Sequence, residues 1–139
     1  MKIISEHKEY STKGTGDLIN ITPDLVKGLS RSTLVIGNMT IFVQGSTAGI
    51  TTFEYEPGLI HDVKDFYEKL VPSDRSYYHD KTWGDANGFS HLRATLTGQS
   101  LTVPFLSGRL LLGTWQQVVL AEFDNRPRER LVIFHMIGE

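Results

Sequence analysis

The chain has 139 residues, 40% of them hydrophobic and 22% charged, with a formal charge of −2 and no cysteine. That length fits a single domain over residues 1–139, and the composition is that of a globular chain rather than a disordered one. The charge gives no general attraction to nucleic acid, and the missing cysteine excludes disulfides, thiolate metal sites and cysteine nucleophiles.

Residues 1–10 lack the continuous apolar core of a signal peptide, and no apolar run approaches the ~20 residues of a spanning helix. A cytoplasmic protein without membrane contact is expected. Residues 2–11 and, after the Lys13-Gly14 turn, residues 15–21 read as strands. Thr22-Pro23-Asp24 is a helix start, with threonine as N-cap, proline where its missing N–H is harmless, and an acid at the positive end. That helix carries Leu25, Val26 and Leu29 and stops near Ser32. Strands rich in β-branched and aromatic residues are expected over 39–44 and 50–55.

Residues 59–71 hold the clearest helical spacing, with Asp65 and Lys69 as an i,i+4 pair and Pro72 as the stop. A polar loop over 73–85 leads to a third helix over 86–96, with Phe89, Leu92 and Leu96 on its apolar side. Strands follow at 100–105, at 110–124 with an interruption at Gly113, and at 130–137. Strands and helices are mixed without a βαβ rhythm. The expected class is therefore α+β, with mixed or antiparallel sheets and about three helices.

Chemistry-bearing residues gather between Tyr78 and Arg130. Asn87, His91 and Thr95 fall four apart on one helix face, close after His79 and Asp85. Two imidazoles and a carboxylate suit acid/base work near neutral pH or a divalent ion, zinc or magnesium, held by His79, His91 and Asp85. The alternative is that His79 is a solvated loop residue and His91 a satisfied surface one, since the spacing matches no zinc signature. A basic group follows: Arg109, then Arg126, Arg128 and Arg130 around Pro127, the residue type that grips phosphate and carboxylate in a planar fork. Glu122 ends an apolar strand, and if buried it needs a partner, so an ion pair with one of these arginines stands beside catalysis. Gln44-Gly45-Ser46-Thr47-Ala48-Gly49 is a small-residue turn whose N–H groups can wrap an anion, although it is no P-loop.

In order, Gly45-Ser46-Thr47-Ala48-Gly49-Ile50, Tyr78-His79, Asp85-Ala86-Asn87-Gly88 and Ser90-His91-Leu92 form one recognisable series. It continues through Gly108-Arg109-Leu110, Leu112-Gly113-Thr114-Trp115-Gln116-Gln117, Glu122-Phe123-Asp124 and Arg126-Pro127-Arg128 to Arg130. This series resembles the YjbQ-like family, also called the secondary thiamine-phosphate synthase family. The resemblance implies a homotrimer with polar residues near subunit boundaries, and weak thiamine-phosphate synthase activity on a phosphorylated small molecule. It also implies the candidates His79, His91, Asp85, Asn87 and Glu122, expected in catalysis, and Arg109 and Gln116, expected at the substrate, where the residue types of Ser46, Thr47 and Arg126 add further anion contacts. A trimeric binding module for a small anionic metabolite or metal is the competing class. Two departures stand out: Gly45 replaces the histidine that usually opens the small-residue turn, and Phe53-Glu54 keeps only the acid of the usual Asn-Glu pair.

Overall fold

The computed structural model describes residues 1–139. Its elements run β1 (Lys2–Ser11), β2 (Leu18–Asn20), α1 (Thr22–Ser32), β3 (Ile36–Val43), β4 (Ala48–Glu54) and α2 (Pro57–Leu70) in the first half. The second half holds α3 (Asp80–Trp83), α4 (Gly88–Thr97), β5 (Ser100–Leu106), β6 (Arg109–Leu110), β7 (Gln116–Glu122) and β8 (Glu129–Gly138). One sheet has the order β1-β8-β3-β5-β6 and a second the order β2-β7-β4. All pairings are antiparallel. The α+β class holds, with the short α3 as a fourth helix inside the expected loop.

Strand alternation explains how two sheets share one core. Met39, Ile41 and Val43 of β3 and Val132, Phe134 and Met136 of β8 point inward from the larger sheet. Ala48 and Ile50 of β4 and Val118 and Leu120 of β7 meet them from the smaller one, with Leu25 and Leu29 of α1 closing the side. Each such side chain, fully buried, contributes roughly 1.5–3 kcal/mol. The other face of β7, Val119 and Ala121, joins Leu18, Ala94 and Phe123 in a second cluster against which Ile60, Val63 and Tyr67 of α2 pack. With both faces covered, β7 reads as one uninterrupted apolar run.

Several local expectations are corrected. Ile21, not Thr22, is the N-cap of α1. The Thr22 hydroxyl instead accepts from the Val118 amide at 2.8 Å, tying the helix to β7. The second strand shrinks to Leu18–Asn20, and Thr15 before it donates its hydroxyl to the Asp124 carbonyl at 2.7 Å. Asp65 stands 3.7 Å from His61 Nδ1 rather than pairing with Lys69. The expected break at Gly113 is present: the Gly113 amide donates to Gln116 Oε1 at 3.0 Å, and β6 and β7 are separate strands.

The largest revision concerns α4, which buries Phe89, Ser90, Arg93 and Ala94 while Leu92 and Leu96 are 47% and 56% exposed. Arg93 goes inward because it has bonds to make there. Its Nε and Nη2 donate to the Val71 carbonyl at 3.0 and 2.7 Å, and Nη2 also reaches Glu68 at 2.7 Å. The end of α2 is thereby capped from α4. No helix of the structure is long and apolar enough to cross a membrane.

Candidate functional site

Glu122 keeps the parity of Val118 and Leu120 along β7, and Arg130 keeps that of Val132 and Phe134 along β8. Both therefore enter the same end of the core, from opposite sheets. Glu122 is fully buried and Arg130 is 7% exposed. Arg130 Nε donates to Glu122 Oε2 at 2.7 Å and Nη2 to Oε1 at 2.6 Å, a bidentate pair. The Thr12 hydroxyl and the Asp124 amide complete the carboxylate at 2.8 and 2.9 Å. Nη2 also donates to the Thr47 hydroxyl at 2.6 Å.

Two residues on, Asp124 is buried in the same way. It accepts from Arg128 Nε at 2.5 Å, from the Asn125 amide at 2.9 Å and from Asn87 Nδ2 at 3.3 Å. Burial pushes the Asp124 carboxyl up, and these bonds outweigh it, so its pKa lies below the ordinary carboxylate value. Two acids and two arginines thus cancel in pairs beneath the surface.

Above this network lies the histidine pair. Asp80 Oδ2 accepts from the Tyr77 amide and Oδ1 from the Gly88 amide, both at 2.9 Å, fastening α3 to the start of α4. His79 is thereby brought against His91, with ring centroids 4.4 Å apart and planes tilted by 57°. Burial lowers the His91 pKa below 6.5, and the neighbouring His79 lowers it further against the opposing pull of Asp124 and Asp85. At neutral pH His91 is therefore an uncharged imidazole, able to accept a proton. Asn87 Oδ1 and Ser90 Oγ, both buried at the start of α4, have no partner in the chain.

The remaining candidates divide by place. Asp85 is exposed, and its carbonyl accepts from Asn125 Nδ2 at 2.7 Å. Ser46 is exposed beside buried Thr47, and Arg126 projects from the turn without an ion pair. Arg109 and Gln116 are elsewhere. They border a cavity of about 240 Å³ with Thr22, Leu29 and Gln117. Gln116 begins β7 and Glu122 ends it, so the strand holds them about 20 Å apart. Within one chain these two do not join the histidines. Nor does the expected metal set assemble, for no three His, Asp or Glu side chains are grouped as ligands. His79, His91 and Asp85 supply no closed donor set, and no step is assigned to a metal. The cleft under α2, lined by Val63, Tyr67, Arg93 and Phe123, contains neither histidine.

Residue chemistry alone gave no role to Thr12 and Asp124, and it offered Arg130 as a partner for Glu122 without separating it from Arg126 and Arg128. Parity held the signal: Arg130 continues the inward row Val132, Phe134, Met136, whereas Arg126 falls in the turn. His7 on β1 and His135 on β8 lie outside the site, and the His135 ring bonds the Ser5 hydroxyl at 2.6 Å.

Sequence and structure comparisons identify the family and the fold. The model of the family described as UPF0047 protein YjbQ-like matches residues 6–139. A UPF0047 protein of Archaeoglobus fulgidus is 42% identical over 118 residues, 84% of this chain and 88% of the relative. One from Methanothermobacter thermautotrophicus is 36% identical over all 139 residues and 95% of its own length. The crystal structure of a YbjQ-like protein of unknown function from Sulfolobus solfataricus superposes with a TM-score of 0.89 at 29% identity, covering 99% of this chain and all of the other. An uncharacterized YjbQ/UPF0047 protein from Clostridium acetobutylicum gives 0.82 at 33% identity, covering 94% and 99%. The chain belongs to the YjbQ-like UPF0047 family.

Proposed function

We propose that this chain is an acid–base enzyme for a phosphorylated small molecule, working in the cytoplasm as a homotrimer. The observation that carries the reading is His91: an imidazole favoured in its neutral form, packed at a tilt against a second histidine, above a buried arginine–carboxylate network. Neutral imidazole takes a proton from a reacting group and returns it, and His79 is close enough to tune it. Asn87, with its oxygen unpartnered, is the positioning amide, and Arg126 at the rim draws in the anion. Thiamine-phosphate synthase-like transfer is the named candidate: a pyrimidine pyrophosphate joins a thiazole phosphate, and cationic groups steady the departing pyrophosphate.

The trimer matters because Arg109 and Gln116 lie apart from their own histidines. In the assembly they belong to a neighbour's site. Tyr78, Trp83 and Trp115, exposed by 92, 79 and 71%, supply apolar surface for such boundaries, as do Leu92 and Leu96. Light scattering at micromolar concentration is expected to give about three times the chain mass of 15.6 kDa. A monomer at that concentration would end the shared-site reading.

The substrate reading is tested by thiamine phosphate formation from purified reactants, beside calorimetric binding of each reactant. Arg109→Ala is expected to weaken phosphate-ligand binding by about 1.5–3 kcal/mol, the worth of one hydrogen bond to a charged group. Unchanged affinity removes Arg109 from the site. One observation favours the binding module instead: both buried acids, Glu122 and Asp124, are taken up by Arg130, Arg128 and their other donors. A folded protein that binds the ligands yet shows no turnover above a boiled control decides for that module with this substrate pair.

A further inference from the structure

Between β3 and β4 the chain leaves a row of donors unused. The Gln44 amide donates to the Leu131 carbonyl at 3.0 Å, and the Thr47 carbonyl accepts from the Phe123 amide at 3.0 Å. These two bonds pin the ends of the turn. Between them, the amides of Gly45, Ser46 and Thr47 donate to no acceptor in the chain. Gly45 and Ser46 are exposed, and water can serve them. Thr47 is only 5% exposed, and a buried amide without an acceptor is uncommon.

Arg130 stands directly against the same turn. Its Nε and Nη2 are taken by Glu122 and the Thr47 hydroxyl, whereas Nη1 makes no hydrogen bond. A Cβ placed on Gly45 would lie 2.7 Å from Nη1. The φ of Gly45 is +151°, a value that favours glycine. The glycine therefore does two things: it permits this backbone shape, and it keeps the approach to Nη1 open. The side chain of any other residue would close it.

We propose that the Gly45-Ser46-Thr47 turn and Arg130 Nη1 form a notch for one phosphate group. Successive backbone N–H groups around a turn make anion-binding concavities, and a guanidinium N–H adds a charged donor. The nearby carboxylates do not oppose this strongly, because each already accepts from an arginine and from further donors. A tetrahedral group offers several oxygens to donors arriving from the turn and from below, which a planar carboxylate does less well. The notch deepens the function proposed above, since its ligand class rests on a phosphorylated substrate. It also assigns the anion contact to Arg130, a residue otherwise only a structural partner of Glu122.

The test is a titration of the ¹⁵N-labelled full chain with inorganic phosphate at constant ionic strength. The amide signals of Gly45, Ser46 and Thr47 and the Arg130 guanidinium signal are expected to move together and saturate. Acetate should bind more weakly. Gly45→Ala, checked for its fold by the rest of the amide spectrum, should lose about tenfold or more in phosphate affinity, as loss of a charge-assisted hydrogen bond implies. Silent turn signals in the unaltered protein overturn the notch, and so does a stronger response to acetate than to phosphate. The two proposals fail separately. A saturating turn response without turnover of any phosphorylated substrate leaves the notch and removes the enzyme; turnover with silent turn amides does the reverse.

Discussion

Arg130→Leu is expected to destabilise the chain by about 3–5 kcal/mol, the usual consequence of stripping one partner from a buried ion pair. Glu122, fully buried, would be left with only the Thr12 hydroxyl and the Asp124 amide as partners. The Thr47 hydroxyl would lose its donor as well. Removing both charges in Glu122→Leu/Arg130→Leu should recover a good part of the loss, because the desolvation of two ions no longer has to be met. Urea midpoints at fixed protein concentration read the difference, with the slope checked for constancy. Arg126→Ala, in the exposed turn, should stay within about ±0.5 kcal/mol. A small effect at Arg130 together with a large one at Arg126 would reverse the assignment of the two arginines.

That contrast shows where the sequence was readable. The span of β1 and the existence of α1, α2 and the Gly113 break follow from alternation, capping and punctuation, all of which are local. Glu122 was readable in part: an acid closing an apolar run needs a partner, and the arginines after Asp124 were the obvious supply. Choosing among them needed the register across two sheets. Arg126 and Arg130 differ little in local chemistry, and only the shared end of the core separates them. The face of α4 was misread for a related reason. Leu92 and Leu96 are the more apolar residues, yet the inward position goes to Arg93, whose bonds to Val71 and Glu68 depend on where α2 ends. The fastening of α3 to α4 through Asp80 was invisible in the sequence, because a four-residue helix leaves almost no periodicity. The nearness of His79 to His91 was nevertheless legible as a constellation, while the remoteness of Arg109 and Gln116 was not. Their motifs belong to the family, and motifs carry no distance.

His91→Ala is expected to lower turnover by about 10²–10⁴-fold while leaving ligand binding largely intact, if the imidazole moves the proton. The pH dependence gives a second, independent reading. Burial first, and then His79, hold the His91 pKa below 6.5. The neutral form is the proton acceptor, so the rate should be flat at neutral pH and fall on the acid side with a midpoint below 6.5. His79→Ala removes one of the two causes, and the acid midpoint should then move up toward the ordinary histidine value. Stability should respond with the matching sign. Below pH 6.5 the unfolded chain takes up a proton at this position before the folded chain does, so folding weakens as pH falls from 6.5 through the lowered native value. Above 6.5 both states are neutral there and His91 adds no slope. In His91→Ala this part of the acid slope should vanish, and the variant's melting at pH 7 shows whether α4 survives the truncation. Full activity in a folded His91→Ala protein would remove the residue from the chemistry. Lost activity with an acid midpoint that His79→Ala does not move would give His91 a role in position rather than in proton transfer.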